Sequence, residues 1–231
     1  MSKLIDLIDN SKTDKNTRHT YIPIYDQLFK RFQNKNINIL EIGIGRSSGS
    51  IQLWYEYFKT GNIYGIDIKK KFFTHVNSSG WRYPPQTFPH QDLNAHKRIN
   101  LYNADAYNID FINKEFVEKN ITFDIIIDDG PHTRKSQIFM AENYSKLLKD
   151  DSILIIEDVN PGNITPEDLI LSLPSELQKK AKIVDMNGAT KFIKRRKKHQ
   201  AMDNILLIVE TINEKYRYGK ALEDSAILEQ D

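Results

Sequence analysis

The stretch INILEIGIG, residues 37–45, decides the fold of this 231-residue chain. Its first six residues have the apolar, β-branched composition of a buried strand, and Gly43 and Gly45 follow at once. Residues 52–58 then place Leu53 and Tyr57 one helical turn apart. A strand, a glycine turn and a helix in this order are typical of a βαβ unit, so the stretch predicts the beginning of a parallel sheet.

Similar apolar runs recur along the chain, and they predict further strands over 63–68, 99–103, 123–127, 152–156, 182–186 and 204–210. A helical pattern occupies 136–148, and Thr165-Pro166 carries the N-cap and first-turn proline of another helix. About 17 polar and basic residues without a helical pattern join the last two strands, which should therefore pair antiparallel. We expect an α/β fold: a doubly wound, mostly parallel seven-stranded sheet that ends in an antiparallel hairpin.

The composition limits the kinds of site and partner. The chain holds 33 Lys and Arg against 31 Asp and Glu, a net charge of +2 that favours no particular partner, and it has no cysteine. Disulfides, thiolate zinc sites and iron–sulfur clusters are therefore excluded. The first residues lack a signal-peptide core, and no apolar run approaches the ~18 residues of a membrane-spanning helix. We expect a cytoplasmic protein with no membrane partner, and a homo-oligomer is left open.

The expected organisation is one α/β domain over residues 36–212, with a helical segment over 1–35 before it and a tail over 213–231 after it. Residues 69–98 are rich in aromatic side chains, proline and glycine but have no steady period, which predicts an irregular insertion. The basic run KRRKK at 194–198 is either a solvated hairpin loop or a patch for phosphate groups.

Acidic side chains follow five of the predicted strands: Glu41, Asp67, Asp105, Asp128-Asp129 and Glu157-Asp158. Any one of them could simply cap a helix, but parallel strands bring all five to the edge of the sheet where ligands bind. Gly43 and Gly45 leave backbone N–H groups open to a carboxylate or phosphate. Asp67 stands where an acid can hold both hydroxyls of a ribose, and Asp105 suits an exocyclic amine. These residues predict a ligand such as an adenosine with a short charged tail.

Five segments carry a family resemblance: DKNTRHTYIPIYDQLF (14–29), LEIGIGRSSGSIQLW (40–54), IYGIDI (63–68), FDIIIDDGPH (123–132) and ILIIEDV (153–159). Together they resemble the class I S-adenosylmethionine-dependent methyltransferases, and more closely the metal-dependent O-methyltransferases of macrolide sugars. The combination of D-D-G-x-H with a later I-E-D is the most specific part. Pro131 and the aromatic stretch 69–98 depart from the family pattern. The resemblance implies a Rossmann-like methyltransferase fold whose segment 1–35, with His19 and Tyr21, covers the cofactor.

The resemblance also implies S-adenosylmethionine and a divalent cation, Mg²⁺ or Mn²⁺, for which carboxylate oxygens are suitable ligands. Carried over by position, His132 is the general base and shares the catalytic role with Asp129, and the acceptor is a sugar, sugar nucleotide or glycan. The implied metal ligands are Asp129, Glu157 and Asp158, and the implied cofactor contacts are Glu41, Gly43, Gly45, Ser48, Asp67, Asp105, Asp128 and Tyr21.

The residues themselves give a second argument for a metal. Four acids at the ends of two neighbouring strands would repel one another unless a cation or a proton compensated them. The basic residue nearest to them in the sequence is Arg134, which is too little for four acids. A divalent cation is therefore the expected partner.

Two other functions stay open from the sequence. A nucleic-acid methyltransferase could use the basic run to follow phosphates, although the net charge of +2 and the lack of an N/D-P-P-Y motif disfavour it. A non-catalytic cofactor-binding module would make the histidine and the metal ligands dispensable. The sequence predicts an O-methyltransferase acting on a sugar or glycan hydroxyl, with these two as alternatives.

Overall fold

The structure is a computed structural model that describes residues 2–45, 48–68, 97–186 and 204–211. The predicted insertion 69–98, apart from its last two residues, lies outside the described residues. So do the basic run 194–198 and the tail 213–231.

Seven strands form one sheet: β1 (Ile37–Ile42), β2 (Gly61–Asp67), β3 (Ile99–Asn103), β4 (Phe123–Asp128), β5 (Leu148–Ile156), β6 (Ala181–Asp185) and β7 (Ile205–Glu210). Their order across the sheet is β3-β2-β1-β4-β5-β7-β6. The pairs formed among β1 to β5 are all parallel. Strand β7 is antiparallel to both of its neighbours, β5 and β6. The predicted doubly wound sheet and its closing antiparallel hairpin are confirmed.

Seven α-helices are described: α1 (Leu4–Leu7), α2 (Ile22–Phe29), α3 (Gly49–Tyr57), α4 (Ile109–Ile112), α5 (Arg134–Asn143), α6 (Pro166–Leu171) and α7 (Ser175–Gln178). Short 3₁₀ turns follow α2 at Lys30–Phe32 and α5 at Tyr144–Leu147, and a π turn follows α4 at Asn113–Val117. Thr165 caps α6 by accepting from the Asp168 amide, as its sequence predicts. Within the described ranges, no helix has the length and apolarity needed to cross a membrane.

The boundary between α5 and β5 differs from the expectation. The helix predicted over 136–148 ends at Asn143, and β5 begins at Leu148, four residues before the predicted start. The first four residues of β5 are half-buried or exposed and three of them are charged, so they lack the apolar pattern of a buried strand. The pairing with β4 is irregular between Phe123 and Ile125. Lys149 instead binds Asp124 on β4 at 2.7 Å.

Apolar side chains fill both faces of the sheet. One core layer contains α2 and α3 with Tyr25, Phe29 and Trp54, and the other contains α5 and α6 with Met140 and Leu169. The N-terminal segment belongs to the first layer, because Leu4 is fully buried and its amide donates to Asp26 at 2.8 Å. Residues 8–21 then lie across the carboxyl ends of the central strands, next to the acidic residues.

Candidate active site

The glycine turn after β1 lies directly against the end of β4. Gly43 has φ +79°, and a Cβ there would lie 2.0 Å from the carbonyl oxygen of Asp129. The Asp129 amide donates to the Ile42 carbonyl at 2.9 Å, which extends the pairing of the two strands past their ends. Only glycine fits this left-handed backbone and this close approach. The turn therefore fixes the position of Asp129.

Two cavities open on either side of this turn. One, of about 320 Å³, is lined by Gly43 and Gly45 together with Asp67 and Asp105. The other, of about 350 Å³, lies between the turn and residues 10–14 of the N-terminal segment. Asp129 lines both cavities. The structure thus brings together the glycines and the two acids predicted to hold an adenosine, and it leaves room on the other side for a charged tail.

Four other residues predicted to contact the cofactor line neither cavity: Glu41, Ser48, Asp128 and Tyr21. All four are buried. Ser48 precedes α3 in a left-handed conformation, and Glu41 lies beneath the glycine turn, where it accepts from the Trp54 indole N–H at 2.8 Å. The structure therefore does not bring these four residues into either cavity.

Asp128 is buried beside the first cavity. Its Oδ1 accepts from the Tyr107 hydroxyl at 2.6 Å, and a Cβ on Gly130 would collide with that hydroxyl. Burial raises the pKa of Asp128 to about 6, although the bond from Tyr107 partly opposes the rise. Asp128 therefore holds Tyr107 in the cavity wall.

On the partly exposed side of the acidic cluster, His132 lies beside both Asp129 and Asp158. The imidazole Nε2 lies 3.6 Å from Asp129 Oδ1 and 3.6 Å from Asp158 Oδ2. The His132 ring is about one-third exposed, so it faces the solvent side of the cluster. This outer set, defined as Asp129, His132 and Asp158, has donor atoms that all lie within 4.8 Å of one another.

The backbone of the outer set is held in place by neighbouring side chains. His132 and Asp158 have φ of 54° and 53°, left-handed values that are uncommon for residues other than glycine, although His, Asp and Asn adopt them more often than the rest. The Asn163 amide donates to the His132 carbonyl at 3.1 Å, and the buried Gln137 amide donates to the Glu157 carbonyl at 3.0 Å. Residues held in sparsely populated backbone conformations cluster at functional sites.

Behind the outer set lies a buried lysine that the sequence argument overlooked. The Lys15 ammonium lies 2.7 Å from Asp129 Oδ2, 2.5 Å from Glu157 Oε1 and 3.4 Å from Glu41 Oε1. Burial alone would lower the pKa of Lys15, but these three carboxylates raise it well above its usual value. The expectation that basic residues are too few to compensate the four acids is therefore wrong in part: Arg134 pairs with Asp168 on the surface, but Lys15 contacts Asp129 and Glu157.

Glu41, Asp129 and Glu157 form a second set of donor atoms within 4.8 Å of one another, which we call the inner set. The two sets share Asp129. Glu157, predicted as a metal ligand together with Asp129 and Asp158, is grouped with the inner set. Burial raises the pKa of Glu157 well above its usual value, and nearby Asp129 raises it further.

Aromatic residues of the N-terminal segment contact the same acids. The Tyr21 hydroxyl donates to Asp158 Oδ1 at 2.5 Å, and the Tyr25 hydroxyl donates to Glu157 Oε1 at 2.6 Å. His19 stacks on Tyr21, and its Nδ1 lies 3.3 Å from Asp158 Oδ1. The segment therefore binds the acidic cluster directly, in addition to lining the second cavity.

Solved structures with a similar fold include methyltransferases. The mycinamycin-pathway methyltransferase MycE, in complex with Mg and SAH, superposes with a TM-score of 0.61 at 20% identity, over 98% of this chain and 59% of that one. A putative rRNA-methylase from Clostridium thermocellum gives 0.51 at 19% identity, over 80% of this chain and 92% of that one. This chain has the class I methyltransferase fold.

Comparison with curated sequences shows which methyltransferases this chain resembles. The chain is 26% identical over 147 residues to the 8-demethyl-8-(2-methoxy-alpha-L-rhamnosyl)-tetracenomycin-C 3'-O-methyltransferase of Streptomyces olivaceus, covering 61% of this chain and 32% of that protein. It is 30% identical over 120 residues to the mycinamicin VI 2''-O-methyltransferase of Micromonospora griseorubida, covering 49% of this chain and 25% of that protein. The predicted resemblance to sugar O-methyltransferases is confirmed.

The chain matches about a third or less of the length of these two relatives. No protein-family model matches it.

Proposed function

We propose that this protein is an S-adenosylmethionine-dependent O-methyltransferase that acts on a hydroxyl of a sugar-bearing small molecule. The observation that carries the proposal is the position of His132 beside Asp129 and Asp158, because Asp129 also lines the cavity that contains the glycine turn and Asp67. The name of the tetracenomycin relative supports the acceptor class, because it describes O-methylation of a compound that carries a rhamnosyl group.

The cofactor would lie across the glycine turn. Asp67 and Asp105 line the first cavity and suit an adenosine, while the second cavity suits the amino-acid tail next to the open backbone of the turn. S-adenosylmethionine supplies a methyl group on a positively charged sulfur, so the chain's main task is to align that methyl with the acceptor oxygen. Residues 10–14 form the wall of the second cavity that faces the glycine turn.

The donor set fits a divalent cation. Asp129 and Asp158 would hold it from the outer set, with the His132 imidazole within the same 4.8 Å and Glu157 as the predicted third carboxylate behind them. Oxygen-rich sites of this kind suit Mg²⁺ or Mn²⁺. A bound divalent cation would lower the pKa of a nearby hydroxyl, which is otherwise a poor nucleophile at neutral pH.

His132 would act as the general base. Its ring is partly exposed beside the two acids, and its Nε2 would take the proton of the acceptor hydroxyl as the oxygen attacks the methyl carbon. Asp129 and Asp158 would orient the ring and stabilise the charge that it gains, since both carboxylates lie 3.6 Å from Nε2.

The test is release of S-adenosylhomocysteine when the protein is incubated with S-adenosylmethionine, Mg²⁺ and a panel of rhamnosylated polyketides, macrolide glycosides and sugar nucleotides. We expect acceptor-dependent turnover that falls by a factor of about 10²–10⁴ in His132→Ala, with cofactor affinity retained in calorimetry. Loss of cofactor binding in His132→Ala would make this residue structural. Tight cofactor binding with no turnover on any acceptor would instead favour the non-catalytic module.

A further inference from the structure

The acidic cluster has the layout of a two-cation centre. The outer and inner sets share one carboxylate, with Asp129 Oδ1 facing His132 and Asp129 Oδ2 facing Lys15. Two-metal sites in enzymes use such a shared carboxylate between cations about 3.5–4 Å apart. In this chain the ammonium of Lys15 already occupies the inner position.

We propose that Lys15 is a fixed internal cation that takes the place of a second metal ion, so that the cluster binds a single divalent cation, held by the Asp129 and Asp158 carboxylates of the outer set. The inference rests on the divalent site of the proposed function and adds a role for this lysine. Lys15 is a positioning residue, since it contacts the acids and has no place among the reacting atoms.

The contacts of Lys15 support this role. Its side chain is 2% exposed, and its ammonium has an acid from each of three neighbouring strands within 3.4 Å. Glu41 and Glu157 are themselves buried, at 0% and 1% exposure. Buried carboxylates without a compensating charge are strongly unfavourable, and the Lys15 ammonium supplies that charge at this position. An ammonium provides that charge whether or not divalent metal is present.

The position of Lys15 also sets the geometry of Asp129. With Oδ2 held by the ammonium at 2.7 Å, Oδ1 is turned toward His132. Lys15 lies in the N-terminal segment that lines the second cavity, so the same segment covers the proposed cofactor site and balances the charge of the proposed metal site.

The experiment counts divalent cations per chain. We expect calorimetry and electron paramagnetic resonance with Mn²⁺ to give one ion for the wild-type protein, and two ions for Lys15→Ala, because that variant frees both the space and the charge of the inner set. Lys15→Arg keeps a positive charge and should bind one ion. Lys149→Ala removes a lysine–aspartate pair of the same 2.7 Å length far from the site and should also bind one.

Thermal unfolding gives a second measurement. In excess chelator, Lys15→Ala should melt well below the wild-type protein, and saturating Mn²⁺ should recover most of that difference. For Lys149→Ala the difference from wild type should be the same with and without metal. A lysine with a purely structural role would give Lys15→Ala a metal-independent loss of this kind.

One ion in Lys15→Ala, or two in Lys15→Arg, would overturn the inference. If Lys15→Ala does not fold, the wild-type protein still decides the question: a spin-coupled pair of Mn²⁺ ions would overturn it, and an isolated Mn²⁺ signal at excess metal would support it. None of these results depends on an acceptor. Methyl transfer by a wild-type protein that binds no divalent cation would end this inference and leave the methyltransferase proposal standing.

Discussion

The close contact between Gly43 and Asp129 predicts that Gly43→Ala, which adds a single methyl group, greatly lowers activity and stability. A Cβ at position 43 would lie 2.0 Å from the Asp129 carbonyl oxygen and 2.6 Å from its carbonyl carbon, whereas even short carbon–oxygen contacts are about 3.3 Å. Both atoms belong to the backbone, so no side-chain rotation can relieve the collision. In Gly43→Ala the end of β4 must move by about 1 Å, and such a misplacement can cost on the order of 10²-fold in rate.

Gly45 provides the matched control, because it has a similar φ of +65° but nothing within 4 Å of the position that an added methyl group would take. The left-handed backbone should cost about 1–2 kcal/mol of unfolding free energy in either alanine variant. The collision should cost Gly43→Ala about a further 1–3 kcal/mol. Urea unfolding of both variants and their Mn²⁺ affinities measure the difference. Equal losses of stability, with unchanged Mn²⁺ affinity in Gly43→Ala, would refute the argument that this contact fixes Asp129.

Two other predictions concern ligands. Asp67→Ala should weaken S-adenosylmethionine binding by at least tenfold in calorimetry, because a carboxylate–diol contact contributes roughly 1.5–3 kcal/mol. The control Asp110→Ala, which changes an exposed acid, should bind the cofactor as the wild-type protein does. Equal affinity in the two variants would remove Asp67 from the site. Excess chelator should abolish methyl transfer, and added Mg²⁺ or Mn²⁺ should restore it. Asp129→Asn should stay inactive at every metal concentration. Full activity in excess chelator would contradict a role for a metal ion and leave His132 to act alone.

The sheet could be predicted because its signals are local. Buried strands such as β1 and β4 are short apolar runs, and each ends at a glycine or an acid that the sequence displays directly. The start of β5 at Leu148 could not be found in this way, because the three residues after Leu148 are charged and none of the first four is fully buried. The convergence of Asp67, Asp129 and Asp158 on one edge followed from the parallel pairing alone.

The inner half of the cluster could not be predicted, because its contacts join residues far apart in the chain. Lys15 precedes Asp129 by 114 residues and Glu157 by 142, and no periodicity relates such positions. A usable signal was nevertheless present: Lys15, Tyr21 and Tyr25 all fall within the segment 14–29 that resembles the family. A lysine and two tyrosines are the donors that buried carboxylates require, so a count of the acids left without a partner could have led to them.

The buried donors also explain why the two halves of the cluster differ chemically. Lys15 and Tyr25 both donate to Oε1 of Glu157 on the inner side, and Glu157 is only 1% exposed, so a ligand from solvent has little access there. On the outer side Tyr21 takes only one oxygen of Asp158, and the other faces the partly exposed His132. An incoming cation or hydroxyl therefore meets the acids from the outer side, at the atoms next to the imidazole. The N-terminal segment achieves this asymmetry, because it supplies every one of these three donors.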